Sequence, residues 1–200
     1  MRMIDKPLII FFIGRSGSGK GTQYQLLKEH LSTIDKREIF AFEMGKAYRD
    51  FLAIENNLGA AIGKHLYDTG RLMPNFITSS FFVTHILLEL KKDQHLFIDG
   101  YPRSIPQLEE LNKLIEYYGF EKSIVLDIDV PEEEVKARML LRGRRDDTVA
   151  AIENRFAYYR TDILPVIEIL KNDAHYQYIK IDGMPTPEEI HEDIKKKLGI

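Results

Sequence analysis

Short apolar runs alternate along the chain with longer stretches in which apolar residues recur at helical spacing. Runs that are apolar almost throughout are typical of parallel strands that are covered by helices on both faces. The runs that predict strands are Leu8–Ile13, Ile39–Phe42, His95–Asp99, Ser123–Val130 and Tyr176–Ile181. Their alternation with helical stretches predicts an α/β fold, in which a parallel five-stranded sheet lies between two layers of helices.

The helical stretches are Gly19–Leu31, Gly45–Glu55, Leu58–Tyr67, Asn75–Leu90, Ile105–Tyr118, Glu132–Leu141, Thr148–Leu170 and Glu188–Leu198. Pro131 and Thr186 each precede an acidic first turn, which favours a helix start. Between the second and third strands the pattern predicts three helices, more than one crossover needs. We therefore expect a small helical lobe beside the sheet.

Composition limits the classes of function. The chain has 200 residues, of which 44% are hydrophobic, enough for one well-buried core. Its net charge of -3 gives no reason to expect nucleic-acid or membrane binding, so an anion site has to be a local cluster. It has no cysteine and hence no disulfide or thiolate zinc site. The apolar run Leu8–Ile13 is too short to span a bilayer. These features favour a soluble protein of the cytoplasm.

A glycine-rich segment follows the first predicted strand. The sequence FFIGRSGSGKGTQ, which starts at Phe11, nearly matches the phosphate-binding pattern G-x-x-x-x-G-K-[ST]. Gly21 stands where that pattern has a hydroxyl residue, and Thr22 comes one position late. An ordinary glycine-rich turn is the alternative, but the strand before and the helix after it favour phosphate binding through backbone N–H groups. The predicted binding residues are Gly14, Arg15, Ser16, Gly17, Ser18, Gly19, Lys20, Gly21 and Thr22.

The segment FIDGYPRSIPQ ends the third predicted strand. Ligands of open α/β sheets bind at the carboxyl ends of the strands, where Asp99 lies. Asp99 could order magnesium-bound water, and Arg103 could bind a phosphate through two hydrogen bonds. Taken alone, the segment is read equally well as a turn, a helix cap at Ser104 and a solvated arginine.

Basic residues concentrate in ARMLLRGRRDDTVAAIENRF, which starts at Ala137. Arg138 and Arg142 share one helix face, while Arg144 and Arg155 lie on either side of two aspartates. Like charges that are buried together need anions or carboxylates to compensate them. The alternative is a pair of basic helix ends with Asp146 or Asp147 as a helix cap.

These motifs together resemble the nucleoside monophosphate kinases, and the adenylate kinase family in particular. The loop of that family also carries glycine after the lysine and then threonine. DGYPRSIPQ is similar to its DGFPRTxxQ signature, EMGKAYRDF to STGDMLRAA, and GRLMPN to GKLVPD. The arginine segment resembles the family's RxxxR…RxDD…R pattern, and IDGMP its IDG turn. The resemblance runs from Leu8 to the last helix and implies the three-layer α/β/α fold of P-loop NTPases.

The resemblance also implies roles for single residues. The catalytic residues would be Lys20, Arg103, Arg142, Arg144 and Arg155, with Asp146 and Asp147 orienting the guanidinium groups. ATP would bind at the loop residues named above and at Arg138, Arg142 and Gly183. The acceptor monophosphate would bind at Met44, Arg49, Leu72, Met73, Gly100, Arg103, Gln107, Arg144 and Arg155. Mg²⁺ would be the cofactor, held through water by Asp99.

The implied organisation is a single domain over residues 1–200. Its core comprises 1–42, 92–137 and 156–200. The monophosphate-binding lobe comprises 43–91, and a minimal lid comprises 138–155.

Two departures from the family stand out. Only Gly143 separates Arg142 from Arg144, where the family inserts a lid, and Met44 stands where adenylate kinases usually have threonine.

The implied reaction is reversible transfer of the γ-phosphoryl group of ATP to a nucleoside monophosphate. AMP is the favoured acceptor because Gln107 stands where the uridylate–cytidylate branch has an RNxDN pattern. A UMP/CMP or deoxynucleotide kinase remains the alternative within enzymes, and a catalytically weak nucleotide-binding regulator the alternative from another class. The expected partners are ATP and the monophosphate, with no nucleic acid and no membrane, and we expect a monomer.

Overall fold

A parallel sheet of five strands forms the centre of the computed structural model, which describes residues 4–120 and 123–200. The strands are β1 (Ile9–Ile13), β2 (Ile39–Glu43), β3 (His95–Asp99), β4 (Ser123–Asp129) and β5 (Tyr176–Asp182), in the spatial order β2-β3-β1-β4-β5. All five predicted strands are present. Positions 1–3 and 121–122, which fall within the predicted single domain, lie outside the described residues.

Helices cover both faces of this sheet. They are α1 (Lys20–Ile34), α2 (Met44–Leu52), α3 (Leu58–Asp68), α4 (Asn75–Glu89), α5 (Ile105–Tyr118), α6 (Glu132–Arg142), α7 (Val149–Tyr158), α8 (Leu164–Asn172) and α9 (Pro187–Leu198). Alternate residues of β1 enter different cores: Phe11 packs with residues of α4, α5 and α8, and Phe12 with residues of α1 and α9. The predicted three-layer α/β/α fold is confirmed.

The predicted helical stretch Thr148–Leu170 is present, but it is not α-helical along its whole length. The helix is α-helical to Tyr158, continues as a π-helical segment over Tyr159–Ile163, and becomes α-helical again as α8. Pro165, in the first turn of α8, has no N–H and cannot make the α-helical hydrogen bond to the preceding turn. A short π segment absorbs such an interruption without breaking the helix.

The strand order reverses on the two sides of β1. β3 lies on one side of it and β4 on the other, with Phe12 aligned with Asp99 and Ile13 with Asp127. In open α/β sheets the crevice at such a reversal, beyond the carboxyl ends of the strands, is where ligands bind. The glycine-rich loop begins at this point.

No helix in the described ranges is long and apolar enough to cross a membrane.

Candidate active site

A cleft of about 890 Å³ opens beyond the carboxyl ends of β1 and β3. Its walls come from the glycine-rich loop, α2, the connection between α3 and α4, the arginine-rich segment and the start of α9. Basic side chains outnumber acidic ones among its lining residues, although the whole chain is slightly acidic. The basic ones are Lys20, Arg49, Arg71, Arg103, Arg138, Arg142, Arg144 and Arg155, and the acidic ones are Glu43, Asp99 and Asp146. Such a local concentration of cations suits a polyanionic ligand.

The loop between β1 and α1 has the backbone that a phosphate site needs. Gly14 has φ +135°, and a Cβ there would lie 2.5 Å from the carbonyl oxygen of Ile128, so only glycine fits. Gly19, with φ +95°, immediately precedes the first residue of α1. Ser16 to Thr22 line the cleft, so the free N–H groups at the start of α1 lie at its wall.

Lys20 is the first residue of α1, and its ammonium group lies at the centre of the site. Its Nζ donates to the carbonyl oxygens of Gly14 at 2.9 Å and Arg15 at 2.7 Å. Desolvation by the surrounding protein lowers the pKa of Lys20. Asp99 opposes that shift, and the nearby Arg103 adds to it. The lysine is thus placed between the loop and the groups that end β3.

Asp99 is suited to hold magnesium through water. It ends β3, lines the cleft, and its Oδ1 is buried without a hydrogen-bond partner in the described part of the chain. Nowhere in residues 4–120 and 123–200 do three or more His, Cys, Asp or Glu side chains gather into a metal-binding group. An ion beside Asp99 would therefore draw its other oxygen ligands from water and substrate phosphates, which is how Mg²⁺ is usually held.

Arg103 is held close to the end of β3. Its Nε donates to the carbonyl oxygen of Gly100 at 2.8 Å. Gly100 has φ +79°, and a Cβ there would lie 2.6 Å from Nη2 of Arg103, so glycine allows the guanidinium to lie against the backbone. Arg103 lines the cleft, which leaves its remaining N–H groups available for an anion.

Gln107 lies behind Arg103 and not at the cleft. Its Oε1 accepts from the backbone N–H of Arg103 at 2.7 Å, and its Nε2 donates to Thr78 Oγ1 at 2.7 Å and Asn75 Oδ1 at 3.2 Å. The side chain is buried and does not line the cleft. In this arrangement Gln107 fixes the turn that carries Arg103.

Asp146 and Asp147 hold the guanidinium groups of Arg142 and Arg155, two of the arginines that the resemblance implies they orient. Asp147 Oδ1 accepts from Arg142 Nη2 at 2.8 Å and from Arg155 Nη1 at 2.9 Å, and its Oδ2 accepts from Arg142 Nε at 2.9 Å. The backbone N–H of Arg144 adds a bond of 3.1 Å to Oδ2, and Asp146 accepts from the other end of Arg155. Burial raises the pKa of Asp147, but these donors outweigh it and the pKa is lowered.

Arg138 joins α6 to the turn after β5. Its Nη1 donates to the carbonyl oxygen of Gly183 at 3.0 Å, and its Nε to Glu134 at 2.7 Å. Arg138 lines the cleft, whereas Gly183 does not, although Pro185 and Pro187 just beyond it do. Arg138 and Gly183, which the resemblance assigns separately to ATP, are therefore in direct contact with each other.

Of the residues predicted to bind the acceptor, some line the cleft and others do not. Met44 and Arg49, on α2, line the cleft. Leu72 and Met73 do not: Met73 is buried, and its Cε packs against Gly63 of α3. The position of these two residues follows from how α3 packs on the connection to α4, which the motif alone does not show.

Several lining residues were not singled out from the sequence: Glu43, Tyr48, Tyr67, Gly70 and Arg71. Signals for two of them were available. Tyr48 is one helical turn after Met44 and so shares its face. Arg71 belongs to the same GRLMPN segment as Leu72.

Comparisons with known proteins agree with this geometry. Residues 12–175 match the family model described as Adenylate kinase. Curated relatives include an adenylate kinase of Bacteroides fragilis, 34% identical over 193 residues that cover 94% of this chain and 97% of the relative. An adenylate kinase of Phocaeicola vulgatus is 34% identical, over 94% of this chain and 96% of the relative. Adenylate kinase 1 of a Nostoc species is 30% identical, over 95% and 98%.

The match therefore extends over most of the chain and includes the loop and the arginine cluster. The glycine-rich loop, the arginine-rich segment and a helical insertion between β2 and β3 meet at one cleft. The chain belongs to the adenylate kinase family.

Proposed function

We propose that this protein catalyses the reversible transfer of the γ-phosphoryl group of ATP to AMP, giving two molecules of ADP. The observation that carries the proposal is the convergence of Lys20 with Arg103, Arg142, Arg144 and Arg155 on one cleft. These side chains come from three separate segments. A protein that only binds ATP would not need cations on the acceptor side of the cleft as well.

On the donor side, Lys20 and the N–H groups of the loop bind the β- and γ-phosphates of ATP. Arg138 covers the adenine, and its hydrogen bond to the carbonyl oxygen of Gly183 supports this assignment. Asp99 would hold magnesium through water, and the bound ion would neutralise charge on the phosphates. The Oδ1 atom of Asp99, which is buried and has no hydrogen-bond partner among the described residues, supports this assignment.

On the acceptor side, Arg103 and Arg49 bind the phosphate of AMP. Arg103 is fixed by Gly100 and Gln107, which leaves the guanidinium face towards the cleft free for a phosphate. Gln107 acts here through the backbone of Arg103, so its influence on the choice of base is indirect in this arrangement. We propose that the α2–α4 region, residues 43–91, is the acceptor lobe and that 138–155 is a minimal lid.

Between the two substrates, Arg142, Arg144 and Arg155 neutralise the moving phosphoryl group. Phosphoryl transfer passes through a loose transition state, so alignment of the substrates and stabilisation of charge supply most of the catalysis. Two of the three guanidinium groups share the carboxylates of Asp146 and Asp147. They are therefore held in place before the substrates arrive, which avoids the cost of ordering them during the reaction.

A coupled assay of ADP production from ATP, Mg²⁺ and AMP tests the proposal, with UMP, CMP and dAMP as competing acceptors at the same ATP concentration. We expect AMP to give the highest kcat/KM. ADP formation with UMP or CMP but not AMP would assign the chain to another acceptor. ATP binding without turnover on any monophosphate would instead make it a nucleotide-binding regulator.

A further inference from the structure

Arg15, the second residue of the glycine-rich loop, turns its side chain away from the main cleft. Its guanidinium carbon lies 4.5 Å from the centroid of the Tyr159 ring, the geometry of a cation–π contact. Its Nη1 donates to Asp129 Oδ1 at 3.2 Å and to the carbonyl oxygen of Val130 at 3.3 Å, and its Nε lies 3.7 Å from Glu132 Oε1. The side chain is only 17% exposed.

These partners belong to different elements. Asp129 ends β4 and is also paired with Lys180 of β5, at 2.8 Å. Glu132 is the first residue of α6, and Tyr159 the first residue of the π segment. One guanidinium group therefore connects the loop to the sheet, to the helix that carries Arg138 and Arg142, and to the interrupted helix.

The backbone and the side chain of Arg15 contact residues on opposite sides of the proposed phosphoryl transfer. Its carbonyl oxygen accepts from Lys20 Nζ at 2.7 Å, so its backbone contacts the donor-side cation. Its side chain contacts Tyr159, which follows Arg155 by one turn at the point where α7 continues into the π segment. Arg15, Lys20, Arg155 and Tyr159 all line one small cavity of about 30 Å³ under the loop. That cavity separates the loop from the helix that carries Arg155.

We propose that Arg15 is a positioning residue of the transfer reaction: its side chain holds the π segment against the loop and so sets the separation between Lys20 and Arg155. The inference rests on the proposed function, because it concerns the gap across which the phosphoryl group moves. Misplacement of reacting groups by about 1 Å can cost on the order of 100-fold in rate, so a side chain that does not itself contact the ligand can govern kcat.

Steady-state kinetics of Arg15→Met test this role, with Arg160→Met as the matched control. Arg160 also pairs with Glu132, but its side chain is half exposed, and this pair joins the π segment to α6, whereas Arg15 joins the π segment to the loop. Arg15→Met keeps the aliphatic stem and removes the guanidinium. We expect kcat to fall about 10- to 100-fold with the KM of ATP within about twofold. Arg15→Lys, which keeps the charge, should recover part of the loss, and Arg160→Met should keep the wild-type kcat.

A double variant separates positioning from general destabilisation. Tyr159→Leu removes the ring on which Arg15 lies, and residues that act as a unit are not additive. We expect the kcat of Arg15→Met combined with Tyr159→Leu to be no lower than that of the more impaired single variant. Three outcomes would each overturn the proposal. One is a double variant whose loss of kcat equals the product of the two single losses. The others are an Arg15→Met kcat within twofold of wild type and a rise in the KM of ATP at unchanged kcat.

Amide hydrogen exchange keeps this inference separable from the proposed function. Arg15→Met should speed exchange in residues 159–163 and leave the C-terminal half of α1 protected as in the wild type. If the wild-type protein has no kinase activity, the proposed function is refuted, but faster exchange in Arg15→Met would still support the contact between loop and π segment. Unchanged exchange in residues 159–163 would refute the positioning role whatever the activity.

Discussion

Arg155 donates from Nη1 to Asp147 Oδ1 at 2.9 Å, in a pair whose side chains are 10% and 0% exposed. Asp147 also binds Arg142, which lies at the end of the preceding helix. One buried carboxylate thus fixes two cations that come from either side of the short turn between α6 and α7. The arrangement stabilises the fold and orders the site through the same bonds.

Replacement of Asp147 should therefore damage both stability and catalysis. Asp147→Ala leaves the buried Arg155 with one carboxylate fewer, and loss of one partner of a buried pair costs about 3 kcal/mol. Asp68→Ala is the matched control, because Asp68 pairs with the exposed Arg145 at 2.7 Å and such pairs contribute about 0–1 kcal/mol. Urea unfolding measures the free energy of unfolding of both variants. Equal losses of this free energy would contradict the role of burial.

Stability should fall in acid partly through Asp147. Its pKa is lowered in the folded protein: burial raises it, but the Arg142 and Arg155 guanidinium groups outweigh burial. A lowered folded-state pKa gives stability that is complete above the unfolded pKa, near 4, and is lost as the pH falls through the folded value. Urea unfolding from pH 7 to pH 2 should show a shallower decline below about pH 4 in Asp147→Asn than in wild type. Parallel declines would exclude Asp147 as a contributor.

Lys20→Met should abolish most of the activity while leaving the fold intact. The variant removes the cation that binds the donor phosphates, and loss of one such charge-stabilising group typically lowers kcat by about 100- to 1000-fold. Stability should not decrease, because desolvation lowers the pKa of Lys20 and so already disfavours its charged form. The activity and thermal unfolding of Lys20→Met are compared with those of a control variant, Lys28→Met, which replaces a lysine further along α1. A kcat near wild type would remove Lys20 from the mechanism.

Arg103→Ala should mainly weaken use of the acceptor. A hydrogen bond to a charged group contributes about 1.5–3 kcal/mol, so the KM of AMP should rise by roughly 10- to 100-fold. The KM of ATP should change little, because the donor phosphates lie at the loop. Initial rates over a matrix of ATP and AMP concentrations separate the two constants. Unchanged kcat and KM for AMP would refute the assigned role.

The short turn between α6 and α7 predicts poor shielding of ATP. α6 ends at Arg142 and α7 begins at Val149, so few residues are available to cover the nucleotide. Because closure of an active site normally keeps water from reactive groups, we expect some hydrolysis of ATP. Inorganic phosphate release, measured with and without AMP, should exceed that of a family member with a long lid. Release no greater than in that enzyme would contradict the prediction.

The strands, the loop and the chemistry of the arginine segment could be predicted from sequence because each depends on near neighbours along the chain. Apolar runs of one strand length identify β1 to β5, and the glycines before Lys20 identify a tight turn at a helix start. For Asp146 and Asp147, the residues alone allowed a helix cap as well, and the orientation of the arginines was implied by the family resemblance. The family resemblance then located the remaining binding segments.

Other features were decided only when distant segments packed together. Arg15 and Asp129 meet across 114 positions because β4 lies beside β1 in the sheet, and Gln107 turns to Arg103 because Asn75 and Thr78 of α4 occupy its other side. The packing of α3 likewise buries Met73 outside the cleft. A linear pattern records which residue types are present at which spacing, but a side chain's direction depends on which neighbours compete for its hydrogen bonds and volume, and those neighbours are assembled by the tertiary fold.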